Sequence, residues 1–290
     1  MIIRKIVSAS VIVLGLAACE DTGHTSRLEE KRDVATEVPV TESPEKEEKK
    51  PEPEIEETTP TQDKPDFSSY ADANEKKKAF FDFLRPAVVI ENNRILKERQ
   101  YLLAMSNKLQ SSTPVSEKDT SYARRLGKLY HNEVPSEGVT RSWLDTMLVQ
   151  VDVIPEALVL SQAANESGWG TSRFAVQGNN YFGQWCYRKG CGLVPSSRTE
   201  GASHEVAVFE SAYQSVHAYF MNVNRNAAYK ELREIRLALH DDENTEEKLS
   251  SDQIASQLTA GLSRYSERGE EYVSEIQAMI RHNNKYWSKG

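Results

Sequence analysis

Glu166 is the residue of this chain best placed to do chemistry. It closes an apolar helical run, Leu158-Val159-Leu160-Ser161-Gln162-Ala163-Ala164-Asn165-Glu166, and leads into Ser167-Gly168-Trp169-Gly170. A carboxylate with an apolar helix on one side and an indole nearby is partly desolvated. Desolvation disfavours the charged form and raises the pKa. A carboxyl kept protonated at a cleft can give its proton to a glycosidic oxygen. Gly168 and Gly170 predict a tight turn that lets a bulky polymer approach. The same position also suits a Glu that only satisfies N–H groups at a helix end.

Aromatic side chains follow closely. Phe174, Tyr181, Phe182 and Trp185 surround the segment Gln177-Gly178-Asn179-Asn180-Tyr181-Phe182-Gly183. Sugar rings pack their C–H faces on aromatic planes, and Asn amides hydrogen-bond hydroxyl and N-acetyl groups. Trp169, Asn179, Asn180, Tyr181 and Trp185 are therefore candidate substrate-binding residues. Phe174 and Phe182 are assigned to the core.

The chain has three cysteines, Cys19, Cys186 and Cys191, and six histidines without HExxH or C-x2-C spacing. No metal site is expected. Leu16-Ala17-Ala18-Cys19 follows a positive Arg4-Lys5 region and an apolar run over residues 6–18. This arrangement resembles a bacterial lipobox, which implies cleavage before Cys19 and lipidation of it. Cys186 and Cys191 are then left as a pair that closes a small loop, and an oxidising periplasm permits the disulfide. A Cys–His peptidase built on Cys186 with His204 or His217 is disfavoured by the neighbouring Cys191. No G-x-S-x-G, P-loop or G-x-G-x-x-G element occurs.

These residues need elements to hold them. Residues 1–18 read as the lipoprotein signal and 19–66 as a tether. Residues 20–66 contain no Phe, Trp or Tyr, hold six of the 11 prolines and carry a net charge of −9 against −8 for the chain. Such a segment buries too little apolar surface to offset its ordering entropy and is expected to be disordered. As a coil it spans roughly 40 Å, and as polyproline II roughly 145 Å. The remainder is near neutral, which argues against nucleic acid as the main partner. No run of 18 apolar residues predicts a membrane-spanning helix.

Helical spacing covers 76–111, with Pro86 predicting a kink or two helices. Helices are also predicted over 121–131, 140–149, 155–166, 211–222, 227–239, 251–262 and 269–282. Leu193-Val194-Pro195 and residues 205–209 read as extended, joined by a turn at 200–203, which gives a β-hairpin lobe. The fold class is mainly α (α+β), with a helical extension over 67–138 and a second unit over 139–290.

Two sets of residues carry a family resemblance. Residues 157–172, including Asn165-Glu166-Ser167-Gly168-Trp169-Gly170, together with Asn179-Asn180-Tyr181-Phe182-Gly183, resemble the bacterial N-acetylglucosaminidase family of flagellar cell-wall hydrolases and autolysins. Residues 137–144, 190–195 and 265–273 are similar to the Bax-like envelope proteins that carry this domain. The resemblance implies a lysozyme-like fold, hydrolysis of peptidoglycan glycan, no cofactor, and Glu166 as general acid. It also implies a cleft role for Tyr229, positioning the N-acetyl group or a water.

In relatives a second carboxylate comes from the β-lobe. Glu200 and Glu205 are both candidates here, and Glu210 is a weaker one. Participation of the substrate's own N-acetyl group needs none. The expected reaction is cleavage after N-acetylglucosamine. A muramidase, a lytic transglycosylase and an idle wall-binding lipoprotein are its rivals. The expected address is the periplasmic face of an envelope membrane. The sequence leaves open which membrane and which oligomeric state.

Overall fold

The structure is a computed structural model. It describes residues 63–287 apart from 197, 199, 200, 202 and 242–248. The signal, Cys19, most of the tether and Glu200 lie outside the described residues. Among the described residues no helix is long and apolar enough to cross a membrane.

Helix α1 (Ala73–Gln110) is the longest element. Asp72 caps it by accepting the N–H groups of Asn74 and Glu75 at 2.8 and 2.9 Å. Pro86 lies inside it without dividing it. A proline there removes one hydrogen bond and costs about 3 kcal/mol. Phe83, Leu84, Ala87 and Val88 are buried on both sides of Pro86, and that packing holds the helix together. α1 also buries a charged cluster. Arg94 pairs with Glu91 and Glu98, and Glu98 and Glu91 in turn bind the Tyr130 hydroxyl and His217.

Helices α2 (Glu117–Leu129) and α3 (Arg141–Gln150) follow. Helix α4 (Glu156–Ser167) is buried on nearly every face from Ala157 to Ala164, as its composition requires. It packs against α1, α8 (Ser251–Leu258) and α9 (Glu270–His282). α1 also packs on α3 and on α6 (Ala212–Arg225). One hydrophobic core therefore runs from Phe67 and Phe80 through Leu158 and Tyr219 to Ile280. The expected separation at 138/139 into an extension and a second unit does not appear in the packing.

The β-lobe is a three-stranded antiparallel sheet in the order β1-β3-β2, with β1 (Trp185–Cys186), β2 (Gly192–Leu193) and β3 (Glu205–Ala207). The expected hairpin is the β2–β3 pair, with Leu193 opposite Val206. β1 adds a strand that two residues of sequence could not announce. Trp185 pairs with Val206, and Cys186 with Glu205. Cys186 and Cys191 are disulfide-bonded.

The tether orders earlier than expected. The ammonium of Lys64 donates to the carbonyls of Val176 at 2.6 Å and Ala175 at 3.4 Å. These lie at the carbonyl end of short helix α5 (Arg173–Gly178), where a cation is favoured. Phe67 then enters the core.

Candidate active site

Glu166 sits in the last turn of α4. Gly168 ends that helix in the left-handed conformation, and Trp169 and Gly170 continue with positive φ. The Ser167 hydroxyl ties the turn together. It donates to the Ala163 carbonyl at 2.6 Å and accepts the Gly170 N–H at 2.8 Å. Gly170 also needs its missing side chain, because a Cβ there would lie 2.4 Å from the Phe67 ring. The turn is thus built for packing against the N-terminal segment rather than for polymer access.

The Glu166 carboxyl opens onto a narrow cleft lined by Phe182, Gly183, Gln184, Tyr219, Asn222 and Tyr265. The enclosed notch has about 10 Å³ of free space, room for about one water. Gly183 lies close to the carboxyl. It has φ +64°, and a Cβ on it would stand 3.7 Å from Glu166 Oε2.

Phenols from distant parts of the chain surround the acid. The Tyr272 hydroxyl, on α9, donates to Glu166. The Gln162 amide donates to that hydroxyl at 3.0 Å and accepts the Tyr219 hydroxyl at 2.5 Å. Tyr265 donates to the Phe182 carbonyl at 2.8 Å and stacks on Tyr272, ring centroids 5.3 Å apart. Phe182 stacks on Tyr219 at 4.2 Å. Burial and the nearby Glu166 charge push the Tyr219, Tyr265, Tyr272 and Tyr229 phenols well above their ordinary range, so all four stay neutral donors.

Burial raises the Glu166 carboxyl to about 7, against the opposing pull of the Tyr272 and Asn165 hydrogen bonds and the Arg268 charge. The expected desolvation is present, but its source differs. The indole of Trp169 is not a cleft wall. It packs edge-on against Phe80 and Phe81 of α1, with Lys77 5.1 Å from its ring centre.

Other expected substrate contacts are also redirected. Tyr181 is fully buried against Phe80 and Phe83. Trp185 is buried in β1, with its edge against His204. Asn179 ends α5 in the left-handed conformation and donates to the Phe209 carbonyl at 3.0 Å. Asn180 uses its whole amide internally. It donates to the Gln184 and Ala207 carbonyls and accepts the Phe182 and Gln184 N–H groups. These asparagines hold the loop that presents Gly183 and Gln184. Phe182, assigned to the core by sequence, is buried there and also lines the cleft.

Tyr229 is buried beside Tyr265, ring centroids 6.1 Å apart, and its hydroxyl lies 3.5 Å from Asn222 Nδ2. It supports the cleft from beneath. Glu205 is enclosed and spent within the β-lobe. Its two oxygens accept the N–H groups of Gly190 at 3.0 Å and Gly192 at 2.9 Å, which draws its pKa down. A carboxylate committed in this way latches the disulfide loop and is not free to act as a base. Its oxygen also lies near both sulfurs, but these are bonded to each other and offer no thiolate to a metal. Glu210 is exposed and accepts from the Gln214 amide at 2.9 Å. Among the described residues, Glu166 is the one carboxyl lining the cleft.

Sequence reasoning did not select Gln162, Gln184, Tyr219, Asn222, Tyr265 and Tyr272. Gln162 left a local signal, a long polar side chain one turn before Glu166 in a mostly apolar helix.

A partly buried acid at the end of a central helix, in an aromatic cleft, suits a glycan-cleaving domain. Residues 144–285 match the glucosaminidase family, described as mannosyl-glycoprotein endo-beta-N-acetylglucosaminidase. The chain is also 32% identical over 223 residues to protein bax of Escherichia coli (strain K12), covering 76% of this chain and 74% of that protein. It belongs to the Bax-like proteins with a glucosaminidase domain. No solved structure matches it.

Proposed function

We propose that this protein hydrolyses the glycan of peptidoglycan at the β-1,4 bond after N-acetylglucosamine, with Glu166 as general acid. The observation that carries this reading is the Glu166 carboxyl. It is held protonated up to about pH 7 in a cleft and oriented by a neutral phenol. Such a group gives its proton to the leaving oxygen as the glycosidic bond opens. Neutral phenols around it keep competing charge out of the cleft.

Glu166 is alone in the cleft among the described carboxyls, and this favours chemistry that needs one. The substrate's acetamido oxygen then attacks the anomeric carbon, and Glu166 later takes a proton from water. The same observation favours a second reading, a lytic transglycosylase, in which an internal hydroxyl replaces water. Lipidation at Cys19 and the 20–66 tether would hold the domain at an envelope membrane, within reach of the wall.

The test is to incubate the protein with peptidoglycan, reduce the products with borohydride, and identify the new ends by mass spectrometry. Reduced N-acetylglucosamine is the expected end. Reduced N-acetylmuramic acid would transfer the cut to the other bond, and anhydro-muramic ends would establish the transglycosylase. Wall that pellets with the protein but gains no ends would replace the enzyme by a binding module.

A further inference from the structure

Gln162 sits one turn before Glu166 on α4 and is fully buried. Its amide lies between two phenols from other elements. The Tyr219 hydroxyl, on α6, donates to its oxygen Oε1 at 2.5 Å. Its nitrogen Nε2 donates to the Tyr272 hydroxyl, on α9, at 3.0 Å. Tyr272 in turn donates to Glu166. Three donors therefore point the same way along one chain that ends on the acid.

The same atoms allow the opposite polarity. Turning the amide over would put Nε2 toward Tyr219 and Oε1 toward Tyr272. Tyr272 would then donate to Gln162, and its oxygen would accept the proton of a protonated Glu166. The Tyr219 hydrogen decides between the two. Tyr219 is 1% exposed, and Gln162 Oε1 is the acceptor that its hydroxyl meets among the described residues. A turned amide would leave that buried donor unpaired, which is costly. The amide is thus locked with its nitrogen toward Tyr272.

We infer that Gln162 is a positioning residue: locked by Tyr219, it keeps the Tyr272 hydroxyl a donor to Glu166, so that the acid's own proton is turned away from Tyr272 and is available to the leaving oxygen. This rests on the general-acid reading of Glu166. The charged groups that reach Glu166 are Arg268 and Glu275, and Asn165 is its other hydrogen-bond partner. Tyr229 and Tyr265 beside it stay neutral. None of these five is altered in the test.

The experiment titrates Glu166 in the full chain by carbon-13 NMR of labelled glutamate side chains. Its signal is identified by its loss in Glu166→Gln. Tyr219→Phe removes the lock and leaves Gln162, Tyr272 and Glu166 in place. The amide is then free to turn, Tyr272 can accept from the protonated acid, and the Glu166 pKa should rise by at least about half a unit. A Gln162→Met background has no amide to turn. There Tyr219→Phe should add no shift, because its effect acts through Gln162. No shift in the parent, or the same shift in both backgrounds, would overturn the inference. If Gln162→Met disturbs the fold, Tyr272→Phe is the second background, and the shift should vanish there too. Titration needs no turnover, so this outcome is separate from the product analysis. A protein that shows the coupled shift but makes no new ends would overturn only the hydrolase.

Discussion

The Tyr272 hydroxyl, from α9, donates to the carboxylate of Glu166, 106 positions earlier in the chain and at the end of α4. This bond favours the ionised acid, while burial favours the protonated one, and burial wins. Tyr272→Phe removes the opposing bond. A hydrogen bond to a charged group is worth about 1.5–3 kcal/mol, so the Glu166 pKa should rise by roughly one unit or more. The alkaline limb of the pH–rate profile should move up with it. A limb left in place would remove Tyr272 from the acid's environment. The variant also leaves the Gln162 amide without its acceptor and should lose about 1–3 kcal/mol of stability.

Glu166→Gln should lower glycan cleavage by about 10²-fold or more, since general acid catalysis typically contributes 10²–10⁴. In the parent, cleavage should fall as pH rises through about 7, where the acid loses its proton. Reducing-end release across pH 5–9 checks both. A parent profile flat to pH 9 would contradict the role.

The same shift bears on stability. The folded-state pKa of Glu166 is raised, from 4.5 to about 7, so the native state holds the proton more tightly than the unfolded chain. Its contribution is therefore fully present below about 4.5 and is lost as pH rises through about 7. At about 1.4 kcal/mol per unit the full change is on the order of 3 kcal/mol. Glu166→Gln cannot titrate. Relative to the parent it should gain stability as pH rises over this window, which urea denaturation at pH 4.5 and pH 8 would reveal.

Gly183→Ala tests the wall facing the acid. Gly183 has φ +64°, and the added methyl would stand 3.7 Å from Glu166 Oε2. The left-handed conformation should cost about 1 kcal/mol. The methyl also occupies the approach to the carboxyl, so kcat/KM should fall well beyond what that small loss of stability explains. Unchanged kcat/KM would mean that substrate reaches Glu166 from elsewhere.

Glu205→Gln separates a latch from a base. One amide oxygen cannot serve both Gly190 and Gly192, so stability should fall by about 1 kcal/mol. Cleavage should stay within about tenfold of the parent. A loss of 10²-fold or more, at unchanged fold, would restore Glu205 as a catalytic group.

Much of the fold was legible because it is local. The apolar run from Ala157 to Ala164 announced a buried helix, and Gly168 marked its end. Of the two outcomes that Pro86 allowed, division into two helices did not occur, because a proline's local cost was outweighed by buried neighbours on both sides. Trp185-Cys186 was missed as a strand, since a two-residue element leaves no period to read. How the segments on either side of 138/139 meet was not legible for a related reason. Sequence shows that α1 has an apolar face, but not that this face packs on α3, α4 and α6.

The site divides in the same way. Sequence determined that a carboxyl ends an apolar helix, and that aromatic residues gather around Gln177 to Gly183. It also set Cys186 and Cys191 close enough to pair. Only tertiary structure decided what each of these groups meets. Asn180 looks like a substrate contact and Glu205 like a catalytic group in isolation, but the folded chain consumes their polar atoms in holding loops. Tyr219, Tyr265 and Tyr272 look like core residues, but the fold brings them to Glu166 from α6, from α9 and from the segment before α9. A side chain's propensity is a property of its own neighbourhood in the chain. Its protonation state depends on every group packed around it, and most of those groups come from far along the sequence.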